Sequence, residues 1–208
     1  MIKTQTKKIM VFATCILVLC LVFFNLSCGL DIIEYYEPPY VTINPPEPEN
    51  IDSNQKYILF RTNDSENTSI SFKGTNVFYK IYNNREDARI DRDKLKSISQ
   101  NDYSGTSAET LITNYKYAML NNSNILCPKS ESGSDYDVRI DFTDSNRFAL
   151  IINVDGKEEQ KPLRAVENYE FNFDSSYWTY DNERDFDVKY NSSSATDVWY
   201  VQFFAASI

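Results

Sequence analysis

Three regimes of hydrophobic patterning follow one another along the chain. Residues 9–24 form a sixteen-residue run without a charge, preceded by Lys3, Lys7 and Lys8. Such a run is shorter than the roughly 20 residues that cross a bilayer as a helix and matches the apolar part of an export leader. Cationic residues ahead of it orient the N-terminus towards the cytoplasm. Residues 31–50 are acidic and hold Pro38, Pro39, Pro45, Pro46 and Pro48, five of the seven prolines. Prolines at this density favour extended polyproline II, so a twenty-residue run reaches up to about 60 Å. Beyond it, short alternating runs of aliphatic and aromatic residues take over.

Alternation of apolar and polar positions predicts strands at 40–43, 57–60, 70–72, 77–82, 138–142, 148–154, 163–166, 169–173, 186–190 and 198–204. In the fourth of these, Val77, Tyr79 and Ile81 fall on one face and Phe78, Lys80 and Tyr82 on the other. Asp155-Gly156 predicts a hairpin turn. Residues 198–206 are nearly all apolar, which predicts a central strand buried on both faces. The pattern changes to helical spacing at 106–120. There Thr106 and Glu109 form a capping box, and Ala108, Leu111, Ile112, Tyr115, Ala118 and Met119 share a face. A weaker helix is predicted at 85–99, with Leu95 and Ile98 as its buried residues. Seven to nine strands suit a mainly β sandwich. The predicted organisation is a leader at 1–27, a linker at 28–50 and a β-sandwich-like domain at 51–208 with a helical insertion at about 85–122.

Composition narrows the function. The chain is 42% hydrophobic and 14% aromatic, which excludes a disordered polymer. Without the three leader lysines, 18 of the 21 basic residues remain against 30 acidic ones, a formal −12. That surface repels phosphate backbones and anionic lipid head groups, so neither nucleic-acid binding nor a basic membrane patch is expected. Histidine is absent, which removes the commonest general base and metal ligand. Cys15 and Cys20 lie in the leader, leaving only Cys28 and Cys127 and an expected exported domain without an intramolecular disulfide, as is normal at a bacterial cell surface.

Asn25-Leu26-Ser27-Cys28 resembles the lipobox of bacterial lipoproteins, in which small residues precede a cysteine. Ser27 fits the small position, Leu26 sits one place nearer the cysteine than usual, and Asn25 stands where Leu is usual. Relaxed lipoboxes of the spirochaete type tolerate that departure. The resemblance implies a diacylglycerol thioether on Cys28, cleavage before it, and attachment to the bacterial envelope, at the outer membrane or cell surface. Each buried methylene contributes about 0.8 kcal/mol to such an anchor. The other readings of the leader are an uncleaved signal anchor and an ordinary signal peptide. Residues 38–84 resemble a fibronectin type III module: a proline-led strand, then Gly74-x-x-Val77-x-Tyr79-x-Ile81-Tyr82. The implied fold is a fibronectin type III or immunoglobulin-like sandwich with the tyrosine strand in the middle of one sheet. The Trp that this family buries in an earlier strand has no clear counterpart, unless Phe60 or Phe72 fills its place. Relaxed lipobox, proline-rich stalk and fibronectin-like domain together resemble uncharacterised lipoproteins of spirochaetes.

Two candidate sites stand out. Asp181, Glu183, Asp185 and Asp187 alternate, so an extended chain would put four carboxylates on one face, a calcium-type donor set. The alternative is a solvated edge strand defended by charge; the EF-hand glycine and closing glutamate are absent. Tyr177, Trp178 and Tyr180, with Tyr169 nearby, form an aromatic loop suited to stacking on sugar rings, or else a roof over the core. Cys127 beside Pro128 has only Lys129 to lower its pKa, weak support for a nucleophile. A hydrolase would have to rest on two carboxylates, and five glycines leave little room for a phosphate loop. The expectation is therefore a non-catalytic binding or display protein, held to the membrane through lipid on Cys28. It has no cofactor, and its partner is an extracellular protein or glycan. A carbohydrate- or calcium-dependent adhesion module is the alternative.

Overall fold

The computed structural model describes residues 35–43, 56–99, 106–123, 125–142, 148–153, 155–156, 158–173, 179–194 and 198–208, with backbone alone at 99 and 106–109. The leader, Cys28, Tyr177 and Trp178 lie outside the described residues, as do the capping-box side chains of Thr106 and Glu109. The described residues all belong to one unit, Tyr35–Ile208.

Among the described residues the fold is mainly β, with two sheets face to face and two α-helices. The first sheet contains β1 (Tyr40–Ile43), β2 (Tyr57–Arg61), β6 (Asp137–Asp141), β7 (Ala149–Ile152) and β8 (Glu158–Gln160), adjacent in that order and antiparallel. Its alternation is strict in β6, where Val138 and Ile140 are buried between half-exposed Asp137, Arg139 and Asp141. The outer face carries a cross-strand ion pair, Arg61 to Asp137 at 2.8 Å, at directly opposed positions. Here β1 occupies part of the expected linker, and Asn67 bonds both the N–H and the C=O of Glu37 just ahead of it.

The second sheet is organised around β3 (Gly74–Tyr82), buried along its whole length. On one side it pairs with β10 (Tyr200–Ser207) over eight residues without a register shift. Its other side is tiled by three two-residue strands: β4 (Ala118–Met119), β5 (Cys127–Pro128) and parallel β9 (Val188–Lys189). Val77, Tyr79 and Ile81 face the first sheet and join Phe60, Val138, Ile140, Leu150 and Ile152 in the main core. Phe142, Phe171 and Phe203 tie the sheets together, with ring centroids 5.4 to 6.3 Å apart. Phe78 points the other way, into a second cluster with Leu95 of α1 (Arg85–Ser99) and Leu111 of α2 (Thr106–Thr113). The helices thus cover the outer face of the second sheet, giving three layers. Asn84 caps α1 by accepting the Asp87 N–H at 2.9 Å. The buried stripe of α1, Ala88, Asp91 and Leu95, follows helical spacing.

Several sequence expectations are corrected. Helix α2 ends at Thr113, not at 120, because Ala118 and Met119 leave the helix to pair with Tyr79 and Phe78. Lys116 makes the turn with φ 56°, and Ile112, expected in the core, is exposed. Residues 70–72 form no strand, and Ile70 is fully exposed. Asp155-Gly156 does turn the chain, but the returning strand is β8 and not 163–166. Residues 163–166 and 169–173 contribute a single bridge, Leu163 to Glu170. The apolar run at 198–206 is half-exposed throughout β10 and pairs with β3 alone among the described strands, so it is an edge and not a centre. No helix among the described residues is long and apolar enough to cross a membrane.

Gly74 opens β3 where β5 approaches most closely. Its φ is +143°, and a Cβ there would sit 2.2 Å from the Cys127 carbonyl oxygen. Gly74→Ala is therefore expected to cost about 3 kcal/mol or more. A urea midpoint equal to wild type would show that β5 does not hold this position.

Candidate functional site: an aromatic loop held by a buried ion cluster

Arg164 is the largest fully buried side chain of the described residues, with 1% of its surface exposed. A guanidinium at that depth needs partners for its donors. Its Nε donates to Asp187 Oδ2 at 2.9 Å, and its Nη2 donates to Asp187 Oδ1 at 2.5 Å and Asp185 Oδ1 at 2.8 Å. Arg184 donates to Asp185 Oδ2 at 2.9 Å. Two carboxylates thus meet two guanidinia and the charges cancel. Tyr79 of β3 completes the cluster: its hydroxyl donates to Asp187 Oδ2 at 2.6 Å and accepts the Ala165 N–H at 2.6 Å. Burial, then the negative Asp187, push the Tyr79 hydroxyl far above its ordinary pKa. At Asp185 burial works upward, but hydrogen bonds from Arg184, the Asp181 N–H and Arg164 outweigh it and hold the carboxyl below 3.8.

The same contacts shape the chain from 179 to 190. Asp187 is tied to β3 twice, through Tyr79 and through its carbonyl, which accepts the Ile81 N–H at 3.0 Å and starts β9. Asp181 Oδ1 accepts the N–H groups of Glu183 and Arg184, closing a turn. The acidic run is therefore not the expected extended strand. Asp185 and Asp187 point inward to Arg164, while Asp181 and Glu183 stay at the surface, so the four carboxylates share no face. No group of three or more Cys, Asp or Glu among the described residues is arranged to hold a metal ion. The expectation of four carboxylates on one extended face is corrected on that ground: Arg164 takes Asp185 and Asp187.

Turns that bury alternate acids display the residues between and beside them. Phe186, between the two buried aspartates, is 56% exposed, and Tyr190 and Tyr169 are 37% and 43% exposed. Tyr180 stacks on Tyr190 with centroids 4.3 Å apart and planes at 12°, and donates to Asn182 Oδ1 at 2.9 Å. Arg184 also donates to the Thr179 carbonyl at 2.9 Å, which fixes the chain immediately after Trp178. Of the expected aromatic set, Tyr180 is thus placed on this loop, and Tyr177 and Trp178 lie outside the described residues. Sequence reasoning missed Arg164, Phe186 and Tyr190. The available signal was a lone arginine in the apolar run 163–166, which had to find acids elsewhere.

A second polar network lies between β3 and the helices. Tyr82 donates to Asp91 Oδ2 at 3.1 Å, Lys189 bonds both Asp91 oxygens at 3.0 Å, and Tyr117 donates to Gln202 Oε1 at 2.6 Å. Lys80 donates to the Tyr115 carbonyl, and burial lowers its pKa. These bonds fasten α1 to the sheet. Cys127 is wholly buried, and burial raises its thiol far above the ordinary value, so it stays protonated.

Comparison with family models, curated proteins and solved structures returns no match to this chain.

Removing one partner of a buried ion cluster strands the others, typically at about 3–5 kcal/mol. Arg164→Ala is expected to lower unfolding free energy by that amount in a urea titration. Asp185, with its folded pKa depressed, adds stability that is present above the unfolded carboxylate value of 3.8 and lost as pH falls through the folded value. The stability gap between wild type and Asp185→Asn should accordingly shrink below about pH 4. A gap constant with pH would separate Asp185 from the ion cluster.

Proposed function

We propose that this chain is an exported, lipid-anchored envelope protein that acts by binding or display and not by catalysis. The observation that carries the reading is the succession of three lysines, the uncharged run 9–24, Asn25-Leu26-Ser27-Cys28 and an acidic, proline-rich continuation. The thiol of Cys28 takes a diacylglycerol, and the chain is cut before it. The likeness to spirochaete lipoproteins belongs to the same proposal. So does the fibronectin-like reading, which is supported by β1 and β2 pairing in one sheet while β3 enters the other. Against it, β6, β7 and β8 continue as a meander in the first sheet. An acidic domain on a covalent anchor has no need of the membrane surface for adhesion, which leaves its loops to meet partners in solution.

Palmitate labelling of the full chain beside Cys28→Ala tests the anchor. Label on the wild type alone, with a mature mass starting at Cys28, is the expected result. Equal absence of label from both would overturn lipidation.

A second reading is a carbohydrate-binding module, favoured by the exposed Phe186 and the stacked Tyr180 and Tyr190 on a loop with a locked backbone. Aromatic faces held in place bind flat sugar faces at little entropic cost. Glycan-array binding that disappears in Trp178→Ala and Phe186→Ala, with an unchanged melting temperature, is expected on this reading. Binding retained in both variants removes it.

A further inference from the structure

Strand edges differ sharply in how they are defended. In the first sheet, β8 ends the order with Glu158-Glu159-Gln160, all exposed, and β1 follows Pro38-Pro39 and carries a register shift between Val41 and Ile43. Charge, proline and irregularity are the usual protections against pairing with another chain. The far side of β3 is broken into three two-residue strands. The outer edge of β10 has none of these devices. It runs eight residues, Tyr200–Ser207, with no charge, no proline and no bulge. No described strand pairs with it, and every one of its largely apolar residues is half-exposed.

The backbone directions follow from the register. Ile208 and Gly74 exchange hydrogen bonds in both directions, at 2.8 and 3.3 Å, so they are a hydrogen-bonded pair. Such pairs recur every second residue in an antiparallel ladder. Ala206, Phe204, Gln202 and Tyr200 therefore bond β3, and Val201, Phe203 and Ala205 turn their N–H and C=O groups outward.

We propose that this edge pairs antiparallel with the same edge of a second copy, joining two second sheets into one. Centred on Phe203, the pairing sets Val201 opposite Ala205 of the other copy and Phe203 opposite its equivalent. These are three hydrogen-bonded pairs with about six new backbone bonds. On the opposite face Tyr200 meets Ala206 and Gln202 meets Phe204. Large residues face small ones at the flanks, and no charge faces a like charge, as a two-fold contact requires. The full chain carries a formal −9 and this strand none of the charge, so long-range repulsion opposes association and added salt tightens it. A cationic peptide on the same edge would show the reverse dependence.

Hydrogen exchange of the full chain in detergent micelles reads the outward amides directly. Protection of the Val201, Phe203 and Ala205 amides that rises with protein concentration and with salt is the expected result. Val201→Pro removes an outward N–H without touching the β3 ladder and should weaken the dimer about tenfold or more. Gln202→Pro, which removes a ladder bond, should instead destabilise the fold. Fast exchange at every concentration overturns the proposal, and so does protection independent of concentration, which would mean that the chain covers its own edge. Tighter protection at low salt also overturns it, in favour of a cationic occupant. If Val201→Pro does not fold, the wild-type exchange decides alone.

Discussion

Strand β3 is buried at all nine positions, so its two edges and two faces must all be satisfied by protein. One edge takes the eight-residue ladder with β10. The other has no single long partner and is completed by three separate returns of the chain. Each return fixes a distant segment: β4 ends α2, β5 brings Cys127 and Pro128 against Gly74, and β9 anchors the loop at 179–190. The two faces divide the molecule, with aliphatic and aromatic packing against the first sheet and a mixed apolar and hydrogen-bonded contact with the helices.

The ion cluster follows from the same constraint. Tyr79 faces the core, and its hydroxyl cannot be left without a partner at that depth. Asp187 supplies one because β9 must run beside Ile81 and Tyr82 to cover their edge. A carboxylate brought there is itself costly until Arg164 meets it, and Arg164 has donors left for Asp185. One unsatisfied hydroxyl thus accounts for a chain of four buried polar groups, each present because of the one before. Where the chain of satisfaction stops short, the structure keeps the cost: Asp64 Oδ1 and Thr75 Oγ1 are buried without a hydrogen-bond partner among the described residues, and burial raises the Asp64 carboxyl.

What could be read from the sequence was local. The two faces of β3 follow from strict alternation, and α1 is predicted at 85–99 on Leu95 and Ile98, of which Leu95 is buried and Ile98 half-exposed. The Asn84 cap and the buried Ala88 and Asp91 go unread. What could not be read depends on distant partners. Residues 114–120 continue a helical pattern, yet the edge of β3 draws Ala118 and Met119 into a sheet. Asp181 to Asp187 alternates like a strand, but Arg164, some twenty residues earlier, converts the alternation into turns. The run at 198–206 reads as doubly buried because its composition matches a central strand, while among the described strands it pairs with β3 alone. Composition reports what a segment tolerates; the number of neighbours it acquires is a property of the whole topology.

A buried ion cluster is a poor means of gaining stability, since apolar residues of similar volume often do as well. Its effect lies in what it forbids. Asp185 and Asp187 are both committed to Arg164, and Arg184 bridges Asp185 and the Thr179 carbonyl, so both buried carboxylates of the turn at 181–187 are paired. Phe186 is forced outward by that arrangement, and the Tyr180–Tyr190 stack closes the far end of the loop. An apolar core beneath the loop would have welcomed Phe186 inside. The ionic one excludes it, and so leaves a hydrophobic side chain at the surface.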